Sequence, residues 1–222
     1  MFKKILLVDD VDVVNISLVE MLLASGIENI DQAGYCDEAL LKIKKSLIDQ
    51  TPFELLITDL SFMPDHRDEK IQSGEELIKV AKLLQPSLKV IAYSIEDKPF
   101  VIKTLFEKHN IDGFVQKGRK SIEQIKMAID VIGSGKVYLS PELAHVLRDN
   151  TVNVIDQNDI KIIELLADGL QQEEIVIRFK ELNIVPNSKS TIEKKISKLK
   201  DYFKAGSNIQ LVLIAKEFGI LK

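Results

Sequence analysis

The sequence predicts an α/β domain followed by a small all-α domain. Three observations carry this expectation. Up to residue 132, short apolar runs alternate with amphipathic stretches of helical spacing, the pattern of βαβ units around a parallel sheet. A break punctuated by Gly, Ser and Pro, GSGKVYLSPE (133–142), then ends the β signal. Beyond 141, every apolar pattern has helical spacing. The reading is thus an α/β domain at 1–133 with a five-stranded parallel sheet, a linker at 134–152 and helices at 153–222.

Each element has its own justification. The run KKILLV (3–8) is a strand that stops at Asp9–Asp10. Val14, Leu18, Met21 and Leu22 give 13–23 a helical stripe, and a strand near 27–32 follows. Ala39, Leu40, Ile43 and Leu47 mark a helix over 36–48, with Asp37 as its expected N-cap. FELLITD (53–59) is a strand ending in aspartate. Ser73 or Gly74 opens a helix over 75–84, and Pro86 lies just past its end. LKVIAY (88–93) is a strand ending at Ser94, 98–109 a helix, and DGFVQ (112–116) a strand ending at Lys117. Ser121 and Gln124 stand at capping-box spacing at the start of a helix over 121–132. Four helices are expected in the back part, over 157–167, 172–182, 189–202 and 207–218.

Composition narrows the class. The chain has 222 residues, 45% hydrophobic and 29% charged, which excludes a disordered chain or a collagen-like fibre. No window offers the apolar length of a membrane span, and MFKKILLVDD is too short in apolar residues for a signal peptide. The single cysteine, Cys36, allows no internal disulfide, so a reducing, cytoplasmic compartment is expected. Residues 1–150 carry 19 Lys+Arg against 24 Asp+Glu, and 151–222 carry 11 against 10. An acidic front and a slightly basic back imply different partners.

The chemistry gathers at the strand ends. Ligands of open parallel sheets bind at the carboxyl ends of the strands, where this sequence places Asp9, Asp10, Asp59, Ser94 and Lys117. Three close carboxylates repel one another, and Mg²⁺ with its hard oxygen ligands relieves that. Lys117 would pair with what remains or with an incoming oxyanion. Such a set suits phosphoryl transfer, which needs positioning and charge neutralisation. In the back part, Ile192, Ile196, Leu199 and Phe203 form an apolar stripe. Ser190, Thr191, Lys194, Ser197 and Lys198 lie on the opposite face, and 186–204 hold six lysines against two acids. That face suits the major groove of DNA.

LLVDD (6–10), LLITDL (55–60), VIAYS (90–94) and DGFVQKG (112–118) occur in an order and spacing that resemble the receiver domain of bacterial two-component response regulators. The resemblance covers 1–133 and implies a flavodoxin-like fold. It makes Asp59 the phosphoacceptor for a sensor histidine kinase. Asp9 and Asp10 become the Mg²⁺-holding acidic pair, with Asp59 and the backbone carbonyl of Ser61 completing the metal set. Ser94 becomes the switch hydroxyl, Lys117 the phosphoryl-binding lysine and Phe114 the switch aromatic. One departure is an inserted Phe62, which moves Met63–Pro64 one place on, followed by a long loop, DHRDEKIQSG (65–74), containing His66. The Rcs-type capsule regulators also have a longer loop here.

GKVYLSPEL (135–143), DIKIIELLADGLQQEEI (159–175), STIEKKISKL (190–199) and SNIQLVLIAKEFGIL (207–221) resemble the linker and helix-turn-helix domain of LuxR/NarL-type regulators. This implies double-stranded DNA as a partner, contacted through Lys189, Ser190, Thr191, Lys194, Lys195 and Lys198, and an active homodimer. The step from Phe179 to Thr191 is about six residues longer than in that family, whose turn normally takes about three or four. Taken together, the expectation is a non-enzymatic, phosphorylation-controlled transcription factor. Two alternatives stand beside it. One is a receiver with a protein-binding output. The other is a haloacid-dehalogenase-like phosphatase, since DVDVV (10–14) would make Asp10 a nucleophile and Asp12 an acid/base.

Overall fold

The computed structural model describes residues 2–63, 70–144, 146, 155–217 and 220–221, with all their side chains except those of 12–15, 100 and 217. Pro64, His66, the Asp12 side chain and the 152/153 boundary therefore lie outside what is described. The chain divides into two compact units, residues 1–97 with 101–145, and residues 98–100 with 146–222.

The first unit alternates strand and helix throughout. In order these are β1 (Lys4–Val8), α1 (Asp12–Ala24), β2 (Asn29–Ala33), α2 (Cys36–Ile48), β3 (Leu55–Thr58), α3 (Gly74–Leu84), β4 (Lys89–Ser94), α4 (Pro99–Glu107), β5 (Gly113–Gln116) and α5 (Ser121–Gly133). The strands pair in parallel in the order β2-β1-β3-β4-β5, the flavodoxin-like arrangement with its switch point between β1 and β3. One face buries Ile5, Leu7, Leu55, Ile57, Ile91, Tyr93 and Val115 against Leu18 and Leu22 of α1 and Ile125, Ala128, Ile129 and Ile132 of α5. By strand alternation, Leu6, Val8, Leu56, Val90, Ala92 and Phe114, all buried, face the other side.

The sheet has six strands, not the expected five. β6 (Tyr138–Leu139), from the expected linker, pairs in parallel with β5, aligning Tyr138 with Gly113 and Leu139 with Phe114. Only two residues form it, too few for a readable alternation. Side-chain bonds complete the join. Ser140, fully buried, accepts a hydrogen bond from the Gln116 N–H at 2.9 Å and donates to the Gln124 side-chain oxygen. The Gln124 amide donates in turn to Glu142 at 3.0 Å. The capping box expected at Ser121 and Gln124 is therefore absent. Lys120 occupies the N-cap without a side-chain bond, Ser121 turns to Tyr93, and Gln124 turns to β6. Asp37 is likewise not a cap. Tyr35 holds the N-cap of α2, and the Asp37 carboxylate accepts the Lys70 N–H at 2.8 Å. Ser73 does cap α3, accepting the Glu76 N–H.

The second unit contains α6 (Gln157–Ala167), α7 (Gln172–Glu181), α8 (Lys189–Phe203) and α9 (Asn208–Glu217). Capping boxes at Asp156/Asp159 and Gln171/Glu174 start α6 and α7, and Ser188 caps α8. The expected stripe of α8, Ile192, Ile196, Leu199 and Phe203, is buried with Ile162, Ile163, Ile175, Phe179 and Leu211. The extra length between Phe179 and Thr191 falls in the connection 182–188, because α7 stops at Glu181. Ile184 N–H donates to the Phe179 carbonyl at 2.8 Å, and the Asn158 side-chain amide donates to the Val185 carbonyl at 3.0 Å.

Candidate functional site

β1 and β3 are neighbours in the sheet, so their carboxyl ends deliver Asp9, Asp10 and Asp59 to one place. One carboxylate oxygen of each lies within 4.8 Å of the others. Lys117, arriving from the end of β5, spans two of them. Its Nζ donates to Asp9 Oδ2 at 2.7 Å and to Asp59 Oδ2 at 2.6 Å. Its backbone N–H donates to the Ser94 carbonyl at 2.9 Å, which ties the end of β5 to the end of β4.

The acids have distinct settings. Asp9 is buried and accepts the Val11 N–H through Oδ1. Burial pushes its carboxyl above the ordinary value, outweighing the opposing pull of Lys117 and the Val11 N–H. Asp10 is half-buried, and its Oδ2 accepts the Met63 N–H at 2.9 Å. Asp59 is 7% exposed, and its Oδ1 accepts the Leu60 N–H at 2.6 Å and the Ser61 N–H at 3.3 Å. For Lys117, burial pulls the ammonium down, but the bonds and charges of Asp59 and Asp9 prevail and hold it above its ordinary value. The lysine is therefore charged at neutral pH.

The remaining expected residues surround this cluster. Ser94, fully buried, ends β4, and its hydroxyl accepts the Glu96 N–H at 3.4 Å. Ser61 lies two residues past Asp59 in an isolated antiparallel bridge with Ser73. Phe114, fully buried, pairs with Ala92 inside the sheet. A donor set of three hard carboxylates about one small space fits Mg²⁺.

Three residues contribute to the site in ways the sequence reading did not assign. Gly74 packs onto the acceptor's own backbone, where a Cβ would stand 1.8 Å from the Asp59 carbonyl oxygen. Thr58 donates its hydroxyl to that same carbonyl at 2.8 Å. The Tyr93 ring lies beneath Lys117, with Nζ 5.2 Å from its centroid. Gly74, fifteen residues beyond the acceptor, was readable only as a possible helix opener, and the other two were hidden in apolar runs.

On the second unit, Lys189, Ser190, Lys194 and Lys198 are exposed on α8, and Thr191 is half-buried. Lys189 pairs with Glu173 at 2.7 Å. Ser190 and Thr191 share the Ser188 hydroxyl. Lys195 differs from these. Its Nζ donates to Asp156 at 2.9 Å and Asp159 at 2.6 Å, so its ammonium is spent on the start of α6.

Fold and rim together define an architecture: a receiver-type α/β unit with an acidic, lysine-bridged rim, followed by a helical unit. The chain matches no protein-family model. It is similar to the response regulator GacA of Pseudomonas aeruginosa, at 25% identity over 98% of this chain and 97% of the relative. Its fold is that of RcsB from Salmonella enterica serovar Typhimurium, solved on the rprA promoter with the phosphomimetic BeF₃⁻. That likeness covers 97% of this chain and 99% of RcsB, with a TM-score of 0.67 and 21% identity. A LuxR-family two-component response regulator from Aurantimonas sp. SI85-9A1 matches 69% of this chain and all of its own length, with a TM-score of 0.54 and 17% identity. The chain thus resembles receiver-plus-LuxR-type response regulators of the RcsB kind.

Proposed function

We propose that the chain is a phosphorylation-controlled, DNA-binding regulator of transcription, with Asp59 as the phosphoacceptor. One observation carries the reading: a single ammonium bridges Asp9 and Asp59 beside Asp10 at the sheet's switch point. The similarity to GacA, and to RcsB solved on promoter DNA with BeF₃⁻, supports it.

An Asp59 carboxylate oxygen forms the new P–O bond to the phosphoryl group of a phosphohistidine on a sensor kinase. The P–N bond breaks, and the imidazole keeps the electron pair and takes a proton. Lys117 moves its hydrogen bond from the carboxylate to a phosphoryl oxygen, and the Leu60 and Ser61 N–H groups hold the other side. Asp9, Asp10, Asp59 and the Ser61 carbonyl would hold Mg²⁺, which when bound neutralises charge shared by the carboxylates and the phosphoryl oxygens. Ser94 then donates to a phosphoryl oxygen, and Phe114 follows as the switch aromatic. The phosphorylated chain dimerises and acts in the cytoplasm without turning over a substrate. Lys189, Ser190, Thr191, Lys194 and Lys198 face duplex DNA, while Lys195 holds α6.

Phosphoramidate labelling of the wild type and Asp59→Asn tests the acceptor. The wild type takes up label and the variant does not. Label in the variant would overturn the assignment. The long connection 182–188 favours a second reading, output through a protein partner. Duplex binding with a steep salt dependence would exclude it.

A further inference from the structure

We infer that Tyr93 is a positioning residue for Lys117, a platform that keeps the ammonium aimed into the rim. This rests on the phosphoacceptor reading and deepens it. Tyr93 pairs with Val115 across β4 and β5. Lys117, two residues beyond Val115, therefore emerges on the same face of the sheet. The ammonium lies over the ring at 5.2 Å while it donates to Asp9 and Asp59.

A lysine stem is long and flexible, and its ammonium is strongly hydrated. Two acceptors on one side do not fix such a group, because water competes for it from the other. The Tyr93 ring, in a side chain only 4% exposed, fills that other side with an electron-rich face. The ring is itself held. Its hydroxyl lies 2.8 Å from the Ser121 hydroxyl in the first turn of α5, and Tyr93 belongs to the buried core cluster that includes Val115 and Ile125. The rim lysine is thus connected to α5 through Tyr93 and Ser121.

The experiment uses the full chain with Tyr93→Phe, Tyr93→Trp and Tyr93→Leu. The maximal rate of Asp59 phosphorylation by phosphoramidate is measured at saturating Mg²⁺, and the proton shifts of the Lys117 ε-methylene are read by NMR. Tyr93→Phe keeps the ring and stays within about twofold of wild type, and Tyr93→Trp restores a ring face. Tyr93→Leu loses about five- to tenfold, the change expected for one desolvated cation–π contact. The ε-methylene is shifted upfield in the wild type and in Tyr93→Phe, and returns toward the free-lysine position in Tyr93→Leu. Equal rates in the Leu and Phe variants would overturn the inference while leaving the phosphoacceptor standing. An unlabelled wild type would remove both. If Tyr93→Leu does not fold, the wild-type shift decides, since an unshifted ε-methylene excludes the platform.

Discussion

At Asp59, local geometry is enforced by neighbours that carry no reactive group. The carboxylate has its two oxygens divided between backbone N–H groups and Lys117. The backbone beneath it is clamped by the Thr58 hydroxyl and by the start of α3. That start has no room for a side chain at Gly74, where a Cβ would meet the Asp59 carbonyl at 1.8 Å. The atom in the way is backbone, so a rotamer change gives no relief. Gly74→Ala is expected to destabilise the first unit by about 3 kcal/mol, at the upper end of overpacking costs. It should also slow phosphorylation by displacing the acceptor. Urea unfolding followed by circular dichroism checks the first effect, and unchanged stability would refute the clamp.

At the scale of elements, β6 and α6 show how polar side chains finish what backbone pairing starts. Two residues cannot hold a strand, and β6 depends on Ser140 between the Gln116 N–H and Gln124. Ser140→Ala takes this partner from the half-buried Gln116 N–H, at a cost of about 1 kcal/mol. Faster hydrogen exchange at Gln116, with the β3 amides unchanged, is the expected result. The start of α6 depends on charge instead. Burial alone would raise the Asp156 carboxyl, but Lys195 and the Asp159 N–H hold it below its ordinary value. A group held low in the folded state stabilises above its unfolded value, and the benefit is lost as pH falls through the folded one. Amide NMR should therefore show α6 loosening as pH drops below the ordinary aspartate value of 3.8. Lys195→Met should loosen it already at neutral pH. The long elements were legible in the sequence, because α2 and α6 carry apolar spacing through several turns and match their expected bounds. Strand-end chemistry was legible too, since Asp9, Asp10, Asp59 and Lys117 punctuate apolar runs. β6 was not, and neither was the fate of Ser121 and Gln124. Their spacing satisfied a local rule, but Tyr93 and Ser140, distant in sequence, offered them better-buried partners.

Across the whole molecule, net charge is a poor guide, because both units spend much of their charge internally. The acidic excess of the first unit converges on one rim, where an ammonium already compensates part of it. The basic excess of the second is confined to α8 and its approaches, and there the lysines divide by task. Lys194 and Lys198 stand exposed, whereas Lys195 is 18% exposed and held by two carboxylates. Sequence spacing places all three on one helix and cannot separate them, because the acids that claim Lys195 lie far off in the chain. Salt dependence of duplex binding can. Each phosphate contact adds about 0.9 to the slope of log affinity against log salt. Lys194→Ala with Lys198→Ala should lower that slope by about 2 and leave thermal stability near wild type. Lys195→Ala should do the reverse, preserving the slope and lowering the melting temperature, because it removes the support of α6. Fluorescence anisotropy at several salt concentrations, with melting curves on the same samples, measures both. A slope reduced by Lys195→Ala as much as by either exposed lysine would show that its ammonium leaves Asp156 and Asp159 to reach DNA.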